Sequence, residues 1–159
     1  MKRILITGSR DWWDVEVVRA ALLEHAPTEG EVVVVHGDAR GADRIAATLA
    51  EEFGWATEPH PADWNLGKHA GPRRNARMVA RGAAVCLAFP LPNRDDPSRR
   101  TGTEDCIAAA QRARIPVRIY RPTTPDPNTV IRRPGTGSES PPGDSGDTQG
   151  YNGNHWRQG

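Results

Sequence analysis

The residues best suited to chemistry lie in short, glycine-punctuated segments, each following an apolar run. The first is Gly8-Ser9-Arg10-Asp11-Trp12. Gly8 permits a close backbone approach, Ser9 offers a hydroxyl, and the Arg10 guanidinium can fork onto a phosphate or carboxylate. The same residues also make an ordinary strand-to-helix turn, with Asp11 or Asp14 as helix cap and Trp12 over the edge of the core. Trp12 and Trp13 could instead present a stacking face to a base. The second segment is His36-Gly37-Asp38-Ala39-Arg40-Gly41-Ala42-Asp43, which opens directly into a helical pattern. Its small residues would let backbone N–H groups and the helix dipole meet phosphate oxygens. Asp43 suits either a helix cap or a ribose hydroxyl. This spacing is neither the dinucleotide fingerprint G-x-G-x-x-G nor a Walker loop with its lysine, so a nicotinamide dehydrogenase or a P-loop NTPase has no support.

The third segment runs from His60-Pro61-Ala62-Asp63-Trp64 through Gly67 and Lys68 to Gly71-Pro72-Arg73-Arg74-Asn75-Ala76-Arg77-Met78. Pro72 suits the first position of a helix, which puts Arg73, Arg74 and Asn75 in the first turn. Cations there oppose the helix dipole, and a bound anion offsets that cost. Lys68 could close over the same site. In the fourth segment, Thr101-Gly102-Thr103-Glu104-Asp105, Gly102 and Thr103 offer a hydroxyl and N–H groups to an anion. Thr101 and Glu104 also have the form of a capping box. The preceding loop, residues 90–100, with Asn93, Arg94, Asp95, Asp96, Arg99 and Arg100, reads as a mobile lid.

These segments need a scaffold that brings them together, and the apolar periodicity supplies one. Runs rich in β-branched residues at 4–7, 32–35, 56–60, 84–89 and 117–120 alternate with helical patterns at 15–25, 42–53, 73–81 and 104–114. That alternation predicts βαβ units and an α/β, Rossmann-like sandwich around a mostly parallel five-stranded sheet. Ligands of such sheets bind outside the carboxyl ends of the strands, where all four segments fall.

The 159 residues have room for one ordinary domain, and the formal charge of +1 speaks against a general duplex binder. Only two cysteines occur, and neither has a partner at metal-site spacing, so no metal or cofactor is expected. The apolar stretch at the start is too short for a signal peptide, and nothing later reaches membrane-spanning length; a soluble cytoplasmic protein with no membrane partner is expected. After residue 121 the composition turns to Pro, Gly, Ser, Thr and Asn. A domain over 1–121 and a disordered tail over 122–159 are therefore expected.

Taken in order, Thr7-Gly8-Ser9-Arg10, the segment from His36 to Asp43, the stretch 60–64, Gly71 to Met78 and Gly102-Thr103 resemble the YspA-type, YpsA-related branch of the SLOG superfamily. The resemblance covers residues 2 to about 121. It implies a Rossmann-like fold that binds nucleotides, nucleotide derivatives or nucleic acid, and a homo-oligomer, dimer or higher. The superfamily includes the LOG phosphoribohydrolases, in which an R-K-x-x-M segment and a P-G-G-x-G-T-x-x-E segment supply the catalytic arginine and glutamate. Arg74 to Met78 looks like the former, with Asn75 replacing the lysine. The latter survives as Gly102-Thr103, with Cys106 where the glutamate would stand.

The expected function is therefore binding, for sensing or sequestration, of a nucleotide-like small molecule such as an ADP-ribose or cyclic-nucleotide signal. Domains of this type resemble parts of prokaryotic and phage conflict systems. The expected ligand contacts are Gly8, Ser9, Arg10 and Trp12 after the first strand; Gly37, Asp38, Ala39, Gly41 and Asp43 after the second; Asp63, Trp64 and Lys68 after the third; and Gly71, Pro72, Arg74, Asn75, Met78, Gly102 and Thr103 at helix starts. An alternative is a phosphoribohydrolase cleaving an N-glycosidic bond, with Arg74 on the phosphate and Asp38, Glu104 or Asp105 as acid or base. A third reading, single-stranded nucleic-acid binding in the manner of the DNA-processing protein DprA, draws on the tryptophans and arginines but is less favoured by the near-zero charge.

Overall fold

The computed structural model describes residues 1–129. Five strands, β1 (Lys2–Gly8), β2 (Val32–His36), β3 (Ala56–Pro59), β4 (Val85–Phe89) and β5 (Val117–Ile119), form one sheet in the order β3-β2-β1-β4-β5. All neighbouring pairs are parallel. Four helices connect them: α1 (Val15–Glu24), α2 (Ala42–Glu52), α3 (Ala70–Ala80) and α4 (Gly102–Arg112). The expected α/β, Rossmann-like class is the one observed. The chain starts at the sheet centre, works outward to β3, then crosses back to β4 beside β1. The loops leaving β1 and β4 thus part in opposite directions and open a crevice at their carboxyl ends.

Both faces of the sheet are covered at its centre, so β1, β2 and β4 are largely apolar and alternate between two layers, whereas the edge strands β3 and β5 are more exposed. Ile4, Ile6, Val34, Leu87 and Phe89 join the α1 and α2 side, with Val18, Leu22 and Leu49. Leu5, Val35 and Cys86 face the other layer, with Met78, Val79, Cys106 and Ala110 of α3 and α4. Each fully buried aliphatic side chain contributes about 1.5–3 kcal/mol to this framework.

Two helices begin earlier than the sequence pattern suggests. A short 3-10 stretch, Trp64–His69, runs into α3, which starts at Ala70. Pro72 is therefore its third residue rather than its first, still inside the turn whose N–H groups have no intrahelical acceptor. α4 starts at Gly102, where Thr101 and Glu104 complete a reciprocal capping box.

Of the stretch expected as a tail, residues 130–159 lie outside the described residues. Nearer β5, the backbone N–H groups of Thr123 and Thr124 donate to Asp14 Oδ2 at 2.8 and 3.2 Å, and Trp13 Nε1 donates to Thr124 Oγ1. The loop expected as a lid carries bonds of its own: Asn93 Oδ1 accepts from the N–H groups of Asp95 and Asp96, and Arg94 pairs with Asp126.

Candidate functional site

A cavity of about 520 Å³ occupies the crevice between the ends of β1 and β4. Gly8, Ser9 and Arg10 form one wall, and Gly71, Pro72, Arg74, Asn75 and Met78 of α3 form another. Gly102 and Thr103 close the end, with Lys68 and Trp64 at the mouth. The N–H of Glu104 is taken by Thr101 Oγ1 at 3.2 Å. Those of Gly102 and Thr103, in the same turn, have no acceptor within the helix, so α4 presents two donors and its positive dipole end to the cavity.

Arg74 anchors the middle of the site. Its Nη1 donates to the Gly37 carbonyl at 2.6 Å, and its Nε donates to Asn75 Oδ1 at 2.9 Å. Asn75 Nδ2 in turn donates to the Gly102 carbonyl at 3.1 Å, so one chain of bonds joins the β2 loop to the starts of α3 and α4. A guanidinium has five donors, and these two bonds leave others facing the cavity. Arg74 thus builds the site as well as lining it.

The glycine segment after β2 is used differently from a phosphate cradle. Asp43 is 5% exposed, and its Oδ2 accepts from the N–H of Gly37 at 2.9 Å and of Ala39 at 3.4 Å. The carboxylate therefore supplies an anion to these loop N–H groups instead of capping the helix, and it also lines the main cavity. Burial pushes the Asp43 carboxyl up to about 6, against the pull of the Arg74 charge and the two N–H groups. Space explains the glycines: a Cβ at Gly37 would stand 2.2 Å from Arg74 Nη1. At Gly41, where φ is +77°, it would stand 2.3 Å from the Ser9 carbonyl oxygen, and at Gly8 it would stand 2.4 Å from Ala42 Cβ. The N–H of Ala42 bonds that same Ser9 carbonyl, so the start of α2 is already occupied.

Other candidate residues lie apart from this cavity. Trp12 is 3% exposed, edge-on to Phe89 with ring centres 5.3 Å apart, and its Nε1 donates to the Asp14 carbonyl; a core position leaves no face for a base. Asp63 caps the 3-10 stretch by accepting from the Asn65 N–H at 3.1 Å. Asp38, at φ +53°, lies in a neighbouring cavity with Gly37. Glu104 is held in the capping box, whereas Asp105 lines the main cavity with Arg100 Nε 3.1 Å away. Five further residues line the cavity: Thr7, Asp11 and Arg40, which no sequence motif marks as ligand contacts, and Arg94 and Asp95, expected only in a lid. Thr7 lies at the end of β1, and the other four lie in the loops that follow β1, β2 and β4, which is the signal that could have found them.

Cys106 is fully buried in the layer beneath α4, and burial pushes its thiol up to about 11. It is neutral at physiological pH. Among the described residues no group of three His, Cys, Asp or Glu side chains could hold a metal ion, and no helix is long and apolar enough to cross a membrane.

The family model described as "YspA, cpYpsA-related SLOG family" matches residues 2–67, from β1 into the 3-10 stretch. The "Gene 61 protein" of Mycobacterium phage D29 is 50% identical over 125 residues, covering 74% of this chain and 94% of that protein.

Proposed function

The chain belongs to the YspA, cpYpsA-related SLOG family, and from that premise we propose that the cavity between β1 and β4 binds a phosphate-bearing nucleotide or nucleotide-derived signal molecule, for sensing or sequestration. Membership itself suggests nucleotide-related binding or processing. The observation that carries the finer reading is the convergence of Arg10, Lys68, Arg74 and the first-turn N–H groups of α4 on one cavity at the point where strand order reverses. Preorganised donors and cations of this kind favour a phosphate without further rearrangement.

Binding is favoured over hydrolysis by the side chain at position 106. An oxocarbenium-like transition state needs a carboxylate beside the sugar, and a buried neutral thiol cannot supply one. N-glycosidic hydrolysis is the second reading, favoured by Asp105 at the cavity wall. Calorimetry with AMP and ADP-ribose, paired with chromatography of the incubated nucleotides, tests both. Saturable binding without free base is expected, and Lys68→Ala should weaken binding while leaving the melting temperature unchanged. Failure of both compounds and of inorganic phosphate to bind would sink the site reading. Release of base at about 1 per second or faster would move the function to hydrolysis.

A further inference from the structure

A second cavity, of about 470 Å³, opens on the far side of Arg10 and Trp64 and shares Ala39, Arg40 and Arg74 with the first. The two are chambers of one trough, and the Arg10–Trp64 pair is their common wall. The Arg10 guanidinium lies over the Trp64 indole, 5.0 Å from the ring centre, and Trp64 is 57% exposed. A cation over an exposed ring is held weakly, and a base can take its place on the same face with a firmer stack.

The charges of the two chambers differ. In the first, Asp11, Asp43, Asp95 and Asp105 nearly match the cations. In the second, Arg10, Arg40 and Arg74, which line both chambers, are joined by Arg44 and face one carboxylate, Asp38. A phosphate held in the first chamber by Lys68 and the α4 N–H groups leaves Arg40 and Arg44 only in loose, exposed pairs, 3.7 Å from Asp11 and 4.0 Å from Asp38, which a second phosphate can displace. Asp38 also adopts a left-handed backbone, at φ +53°, that sets its carboxylate among these arginines.

Resting on the reading that the first chamber takes the ligand's phosphate, we propose that the trough binds a nucleoside phosphorylated on both sides of its sugar, the unit repeated in a short oligonucleotide. One phosphate meets the Gly102 and Thr103 N–H groups and Lys68. The base replaces Arg10 on Trp64, and the second phosphate meets Arg40 and Arg44.

The test is calorimetry on the full chain with AMP, adenosine 3′,5′-bisphosphate and a 5′-phosphorylated adenosine dinucleotide. The bisphosphate should bind about tenfold or more tightly than AMP, the gain for one added charged hydrogen-bonding group. Arg44→Ala should remove that gain and leave AMP affinity unchanged. Asp38→Asn, which accepts the same backbone conformation, should tighten the bisphosphate by removing a like charge. A dinucleotide that matches the bisphosphate identifies an oligonucleotide end as the source of the chemistry, and one that binds no better than AMP identifies the free bisphosphate. Equal affinity for AMP and bisphosphate, or a parallel loss of both in Arg44→Ala, overturns the two-phosphate trough while leaving the single-phosphate site standing. Binding of neither compound overturns both.

Discussion

Replacing Arg74 with alanine should damage the fold as well as the binding site. As a first-turn helical cation, Arg74 reads from sequence as a ligand contact whose loss spares the fold. In the structure its guanidinium bonds the Gly37 carbonyl at 2.6 Å and Asn75 Oδ1 at 2.9 Å, and its charge favours the ionised form of the buried Asp43 carboxyl. A hydrogen bond to a charged group is worth about 1.5–3 kcal/mol. Arg74→Ala should therefore cost about 1.5–3 kcal/mol near neutral pH, a sizeable share of the ~5–15 kcal/mol typical of a domain. The melting temperature should drop by about 5–15 °C.

The pH dependence has a definite sign. Burial raises the Asp43 carboxyl from 3.8 to about 6 on folding, so the native state favours its protonated form. That contribution is complete below pH 3.8 and is lost as pH rises through 6, about 3 kcal/mol in all. Without Arg74 the carboxyl rises further and more stability is lost on ionisation. The gap between parent and variant should be narrower at pH 5, where only the lost bonds to Gly37 and Asn75 count, than at pH 7.5. Urea and thermal denaturation at both pH values measure it. A loss below about 1 kcal/mol at both would refute the structural role and return Arg74 to the ligand alone.

Deleting residues 130–159 should leave the melting temperature unchanged, whereas truncation after Pro122 should lower stability by about 1–3 kcal/mol, because Asp14, 4% exposed, loses the Thr123 and Thr124 donors; matched thermal melts compare the two. Gly41→Ala should destabilise more than Gly54→Ala in urea titrations: both positions have positive φ, but only at Gly41 does a Cβ meet backbone, at 2.3 Å, where Gly54 has open space. Cys86 and Cys106 should resist alkylation in native buffer and react together on unfolding, since both are buried and burial raises both thiols.

The alternation of β-branched runs with helical periodicity determined the class of fold, because each run of the central strands is buried on both faces and each helix carries its own apolar stripe. The loops that border the cavity were legible, since parallel strands deliver their following loops to one edge of the sheet, but not which of their residues line it: Trp12, Asp38 and Asp63 fall outside and Thr7, Asp11 and Arg40 inside. What each polar group bonds was a different matter. The N–H groups after β2 could serve a phosphate or a side chain, and Asp43, one helical turn further on, reaches them first. Trp12 could face solvent or core, and Phe89 of a strand far away in sequence draws it inward. Asp14 could cap α1 alone, yet it also holds Thr123, 109 residues later. Local sequence specifies which donors, acceptors and apolar faces exist. Their pairing depends on which groups the packed sheet brings within about 3 Å, and only the tertiary structure decides that distance.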